Sequence, residues 1–233
     1  MIAIGAIALL AVSQAPAASR SPDFTSSDLA DAAERLTGRR SHMSGAIHLL
    51  AGKGLAGPAI TMRLVRDDSA SLSEEGLAAI RFIEAAPEGS VVVVAMEGDK
   101  SFAIFGTTFA TLAQSRRLAG FVVEGAVRGL PALRRMGFPT FAGGTVAGSA
   151  GGHYRIEAVN VTVTCGEVQV SPGDFIVGDE DGVAVAPRER LSEILAKAAA
   201  LRQEKEDLLP LIARFGSYTK ALEEYRRRAA RRP

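Results

Sequence analysis

Four consecutive valines, Val91-Val92-Val93-Val94, constrain the fold of this chain more than any other stretch. A β-branched run with no polar break suits a strand covered on both faces, so other layers must pack against each side of it. A second apolar strand, Gly120 to Glu124, delivers Arg128 just past its carboxyl end. Ahead of it, Phe105-Gly106-Thr107-Thr108 opens a helix expected over about Thr107 to Leu118. With only a glycine before the helix, the backbone amides at about Thr107 and Thr108 are left free, which suits an anion. An arginine and bare amides together make half of a site for a small carboxylate.

The remaining pattern fills in an α/β chain. Thr25-Ser26-Ser27-Asp28 and Ser71-Leu72-Ser73-Glu74 both read as capping boxes, each followed by apolar residues at helical spacing. The first helix is expected to end at Gly38, and Ala59 to Val65 to form a strand. Pro131 and Gly137 bracket a short helix over Leu133 and Met136. Met43 to Pro58 and Gly143 to Gly152 are glycine-rich and read as irregular. Val159–Thr164, Val168–Val170, Phe175–Gly178 and Val183–Ala186 read as short strands between turns. Pro187 introduces a long helix that Pro210 is expected to break, and Tyr218 to Arg232 reads as a last, basic helical segment. The order implies one α/β domain with a mixed sheet system and outer helices.

Composition narrows the function classes. The 233 residues carry a net charge of +1 and no tryptophan, so nothing drives the chain toward nucleic acid. Cys165 is the single cysteine, which excludes an intrachain disulfide and a thiolate zinc cluster; it reads as a packed thiol. His42, His48 and His153 show no metal-ligand spacing, and Asp179-Glu180-Asp181 reads as a hairpin turn. Ile2 to Val12 followed by Ser13 to Ser19 resembles a signal peptide's apolar core and small-residue cleavage site, and so implies export to the periplasm or beyond; otherwise the chain is cytoplasmic. The run is too short for a stable membrane span.

Longer blocks resemble the RraA-like family, which holds the class II 4-hydroxy-4-methyl-2-oxoglutarate aldolases and the regulator of ribonuclease activity A. These are Val91–Val94 with Gly98-Asp99, Phe105-Gly106, Leu118 through Arg128, Gly137 through Ala142, and Gly166 through Pro187. Ser44 to Ile47 and Gly57 to Ala59 agree, and the similarity runs from about Ser27 to Glu206. The resemblance implies a swivelling β/β/α domain over 25–209, between a leader at 1–24 and a basic helical extension at 210–233. It also implies a homotrimer or hexamer with sites near subunit interfaces. Older naming of the family as demethylmenaquinone methyltransferases finds no support, since no glycine-rich loop with an acidic ribose partner is present.

The family aldolases cleave a carbon–carbon bond to leave a pyruvate enolate, and many decarboxylate oxaloacetate through the same enolate. By the resemblance, an acid directly after the arginine anchors a divalent metal, and a second acid stands twenty-one residues before it. Those positions are Gly129 and Thr107 here. Neither supplies a carboxylate, so no cofactor is expected; magnesium or manganese would need rerouted ligands, for which Glu124 and Asp99 are the nearest acids in sequence. The candidate substrate-binding residues are therefore Gly106, Thr107, Thr108 and Arg128, with Arg128 the one candidate catalytic residue. Each has a plainer reading: Arg128 and Glu124 as a structural pair, Gly106 as a tight turn, Asp99 as a solvated turn residue. Two functions stay open, a divergent lyase on small 2-oxo acids or dicarboxylates and a non-catalytic ring that binds a protein partner.

Overall fold

The computed structural model describes residues 24–230, so the leader expectation lies outside the described residues. Helix α1 (Ser26–Thr37) starts on the expected capping box at Thr25 and Asp28 and ends at left-handed Gly38. Strands β1 (His48–Ala51) and β2 (Leu55–Arg66) follow, then α2 (Leu72–Glu84) and β3 (Val91–Ala95). Next come β4 (Ala103–Phe105), α3 (Thr107–Ser115), β5 (Gly120–Val127), α4 (Leu130–Met136) and β6 (Thr140–Thr145). Beyond them lie β7 (Tyr154–Val159), β8 (Val163–Cys165), β9 (Val168–Val170), β10 (Phe175–Asp179) and β11 (Gly182–Ala186). Two helices close the order, α5 (Leu191–Phe215) and α6 (Tyr218–Ala229).

One mixed sheet runs β1-β6-β5-β3-β2-β10-β11, with β4 added to β5 and β7 to β2; β8 and β9 form a separate hairpin. Its end strands β1 and β11 approach each other, so the sheet nearly closes. The β2, β3, β5 and β6 neighbours are parallel, as βα crossovers through α2, α3 and α4 require. The four valines of β3 are fully buried because both faces are covered. Val92 and Val94 face the cluster under α2, α3 and α4, while Val91 and Val93 face Ile176, Val185 and the β8–β9 hairpin. A third cluster seats α1 and α5 against β10 and β11.

Several expectations need correction. Gly143 and Gly144 belong to β6 rather than to a loop, because main-chain pairing with β5 holds residues that have no side chain to bury. β1 and the first residues of β2 arise in the stretch read as irregular, again through pairing with distant strands. Ser71 receives the Glu74 amide as a simple cap; Glu75 instead accepts from the Ile156 amide of β7. Pro210 does not break α5, which continues to Phe215 and stops at left-handed Gly216. Leu208 and Leu211 on either side of the proline pack against Ala221 of α6, and that burial holds the helix across the missing donor. The boundary expected at 209/210 therefore falls inside one helix. None of the described helices is long and apolar enough to cross a membrane.

Candidate functional site

The carboxyl ends of the parallel strands carry the predicted residues. Val127 ends β5 in the core, and the chain then turns outward so that Arg128 is exposed. The Arg128 amide donates to the Phe105 carbonyl at 3.0 Å, which docks the end of β5 against the end of β4, one residue ahead of the N-cap of α3. Gly106 is the N-cap of α3 and contributes no side-chain cap; no acidic residue stands in the first turn. A methyl group built on Gly106 would lie 3.1 Å from the Arg128 Cγ, so the arginine stem lies against the helix start. Arg128 and the open amides of Thr107 and Thr108 thus share one corner.

Thr107 and Gly129 meet at the same corner. Gly129 has φ +70, and a Cβ there would stand 2.7 Å from the Thr107 Oγ1. A side chain at 129 would be strained by the backbone and would crowd the hydroxyl. The two positions at which the resemblance implies acids therefore face each other as a neutral hydroxyl and a hydrogen atom. A hard divalent cation seeks carboxylate oxygens, so the residues present do not fit one. Among the described residues no three His, Cys, Asp or Glu side chains gather as a metal-binding group.

Neither proposed substitute acid turns to this corner. Glu124 accepts from the Met96 amide at 3.2 Å and the Gly166 amide at 3.3 Å. It joins the end of β3 to the turn of the β8–β9 hairpin, and it does not pair with Arg128. Asp99 accepts from the Tyr154 hydroxyl and from the Ser101 amide at 2.7 Å, with Arg66 at 3.8 Å. The Tyr154 hydrogen bond, followed by those of Ser101, holds the Asp99 carboxyl at about 2. Burial first, and Asp99 second, pushes the Tyr154 hydroxyl up to about 12. Asp99 is thus a fixed loop anchor rather than the solvated turn residue expected from its neighbours. Arg66 and Tyr154, distant in sequence, left no local signal of this anchor.

Among the described residues Arg128 has no ion-pair partner. An exposed arginine beside uncapped amides is an arrangement with the chemistry to accept an anion. The other candidates lie elsewhere. Cys165 is fully buried, its thiol donates weakly to the Val94 carbonyl, and burial pushes the thiol well above its usual range. Asp179 accepts from the amide and hydroxyl of Ser26 at the start of α1, so the acidic hairpin closes on a helix. His42 pairs with Glu34, and His153 with Asp68 while stacking on Phe102.

The family model described as "RraA-like: Aldolase/RraA" matches residues 26–185. The chain belongs to the RraA-like family. A Halalkalibacterium halodurans relative provisionally named 4-hydroxy-4-methyl-2-oxoglutarate aldolase is 36% identical over 152 residues, 65% of this chain and 69% of the relative. An uncharacterised protein from Pseudomonas syringae pv. tomato shares the fold, with a TM-score of 0.78, 24% identity, and coverage of 87% of this chain and 91% of that one. Streptomyces coelicolor RraAS2, described as an unusual member of the RNase ES inhibitor RraA protein family, superposes with a TM-score of 0.69 at 27% identity, over 78% of this chain and 89% of its own. The RraA-like fold, a nearly closed mixed sheet with outer helices, is therefore common to this chain and these structures.

Proposed function

We propose that this RraA-like chain binds a small 2-oxo acid or dicarboxylate at Arg128 and the amino end of α3, and acts on it as a carbon–carbon lyase without a divalent cation. One observation carries the reading: an exposed guanidinium with no counter-charge among the described residues lies against a helix start that has no side-chain cap and no acid in its first turn. The guanidinium offers a planar fork of donors, and the Thr107 and Thr108 amides offer a second set.

For oxaloacetate the chemistry is direct. The bond between C3 and the departing carboxylate breaks, and its electron pair forms the C2–C3 double bond. The carbonyl π electrons move onto oxygen, carbon dioxide leaves, and water protonates C3 to give pyruvate. Arg128 would face the oxygen on which negative charge develops, which is where a fixed donor lowers the barrier. Aldol cleavage of 4-hydroxy-4-methyl-2-oxoglutarate, named for a relative, passes through the same enolate.

Pyruvate release from these two acids, followed with and without magnesium or manganese, checks the catalytic part. The expected result is release above the spontaneous rate without added metal, abolished in Arg128→Met. Absence of pyruvate from both acids under every metal condition would remove the lyase and leave a binding protein.

A further inference from the structure

The family model covers residues 26–185, and α5 and α6 lie beyond it. The first half of α5 seats on the domain, in the cluster it shares with α1, β10 and β11. Its second half carries α6 through a separate cluster, in which Leu208, Leu211 and Ala221 are buried and Phe215, Leu222 and Tyr225 pack against them. No residue of the sheet belongs to that cluster. The helix pair is therefore an extension of the domain rather than a layer over its sheet. Large apolar side chains stay exposed on it, Leu209 at 63% and Tyr218 at 60%.

The extension is strongly basic. Residues 210–233 hold seven Lys and Arg against two Glu, a net charge of +5 in a chain whose total is +1, so residues 1–209 are net −4. The positive charge gathers at one end. Arg226, Arg227 and Arg228 stand exposed in the last turn of α6, and Arg231 and Arg232 follow in sequence. Consecutive helical positions are about 100° apart, so the three arginines ring the helix end. Glu224 pairs with Arg227 and Arg228, and Arg226 has no ion-pair partner among the described residues. A helix dipole presents only about half a charge at that end, which does not account for five cations. The other terminus enters through the same helical layer: Phe24 packs in the α1 and α5 cluster, and Lys205 of α5 pairs with Asp28 at the start of α1. The apolar run Ile2 to Val12 precedes that point in sequence.

We infer that the arginine end of α6 docks this chain on an anionic lipid surface. Guanidinium forks take phosphate headgroups in bidentate contacts. The net-negative remainder of the chain is repelled by such a surface, so the extension is the part that approaches it. Leu209 and Tyr218 supply the apolar and amphipathic side chains that a bilayer interface accepts and a nucleic-acid backbone does not. A short apolar anchor binds a membrane only marginally, and stable attachment takes a second signal such as a polybasic patch. The run Ile2 to Val12 and the arginine cluster are two such signals, and the cluster remains whether the leader is kept or cleaved.

Co-sedimentation of the full chain with vesicles of phosphatidylcholine, alone or mixed with phosphatidylglycerol, tests this. The chains are the wild type, a triple variant Arg226→Gln, Arg227→Gln, Arg228→Gln, and a triple variant with lysine at the same positions. The wild type should bind the mixed vesicles at least about tenfold more tightly than the neutral ones, and about half-molar salt should remove the difference. The glutamine variant should lose about tenfold or more on mixed vesicles with an unchanged thermal melt, since each exposed cation is worth roughly fivefold near such a surface. The lysine variant should keep binding within about threefold. Equal binding to both vesicle types, or a charge preference that survives in the glutamine variant, overturns the inference. Duplex DNA bound as tightly as the mixed vesicles makes the cluster a general polyanion site and overturns it as well. Salt-sensitive self-association without vesicle binding assigns the cluster to a second copy of the chain and overturns it too.

Discussion

Arg128→Met is expected to weaken oxalate binding by about a hundredfold or more while thermal stability stays within about 0.5 kcal/mol of wild type. Methionine keeps the Cγ that lies against Gly106, so the packing of the stem survives. What disappears is a bidentate, charge-assisted contact whose replacement by water is incomplete once the ligand sits on the α3 amides. Stability should hardly change, because the guanidinium is exposed and ties no carboxylate among the described residues. Calorimetry and a thermal melt read the two quantities separately. A variant that binds oxalate normally would show that the amino end of α3, or another surface, is the anion site. A variant that loses several kcal/mol of stability would show that Arg128 works as a structural tie after all.

Phe121→Ala should be the most destabilising of the simple substitutions in β5, costing about 3–5 kcal/mol. Phe121 is 1% exposed and sits between three elements. Its ring lies 4.5 Å from that of Phe105, at the end of β4, and 4.9 Å from that of Phe138, ahead of β6. Phe105 in turn lies 5.1 Å from Phe109 of α3, with the two rings tilted by 37°. The aromatic chain therefore couples the strand that delivers Arg128 to the helix that presents the amides. Truncation to alanine removes ring contacts on both sides and leaves a cavity that neighbouring strands cannot fill without breaking their pairing. Urea unfolding measures the cost, and oxalate affinity of the folded fraction should fall with it because the α3 start loses its support. A loss below about 1 kcal/mol would mean that the site corner is positioned by something other than this cluster.

The sequence carried the parts of the molecule whose signals are local. Four valines without a polar break fixed a doubly covered strand, and Thr25 with Asp28 fixed the start of α1, because each depends on residues within one turn or one strand. The juxtaposition of Gly106 with Arg128 was legible for the same reason: one opens a helix and the other ends the next strand, and a right-handed crossover brings such positions together. Long-range pairing was not legible. Gly143 and Gly144 looked like loop because their strand character comes from β5, and Pro210 looked like a break because the packing of Leu208 and Leu211 against α6 cannot be read from the proline itself. Nearness to Arg128 in sequence is all that makes Glu124 and Asp99 candidate metal ligands. Their true partners, Gly166 and Met96 for one and Tyr154 with Ser101 for the other, include residues forty or more positions away.

A carboxylate site built from Arg128 and backbone amides, where Thr107 and Gly129 offer no acid, should bind its ligand without a metal. Calorimetric titration of the full chain with oxalate, once in a chelator and once in millimolar magnesium, tests it most directly. The predicted result is one binding isotherm whose affinity agrees within about twofold between the two conditions. Binding that appears only when magnesium is present would contradict it.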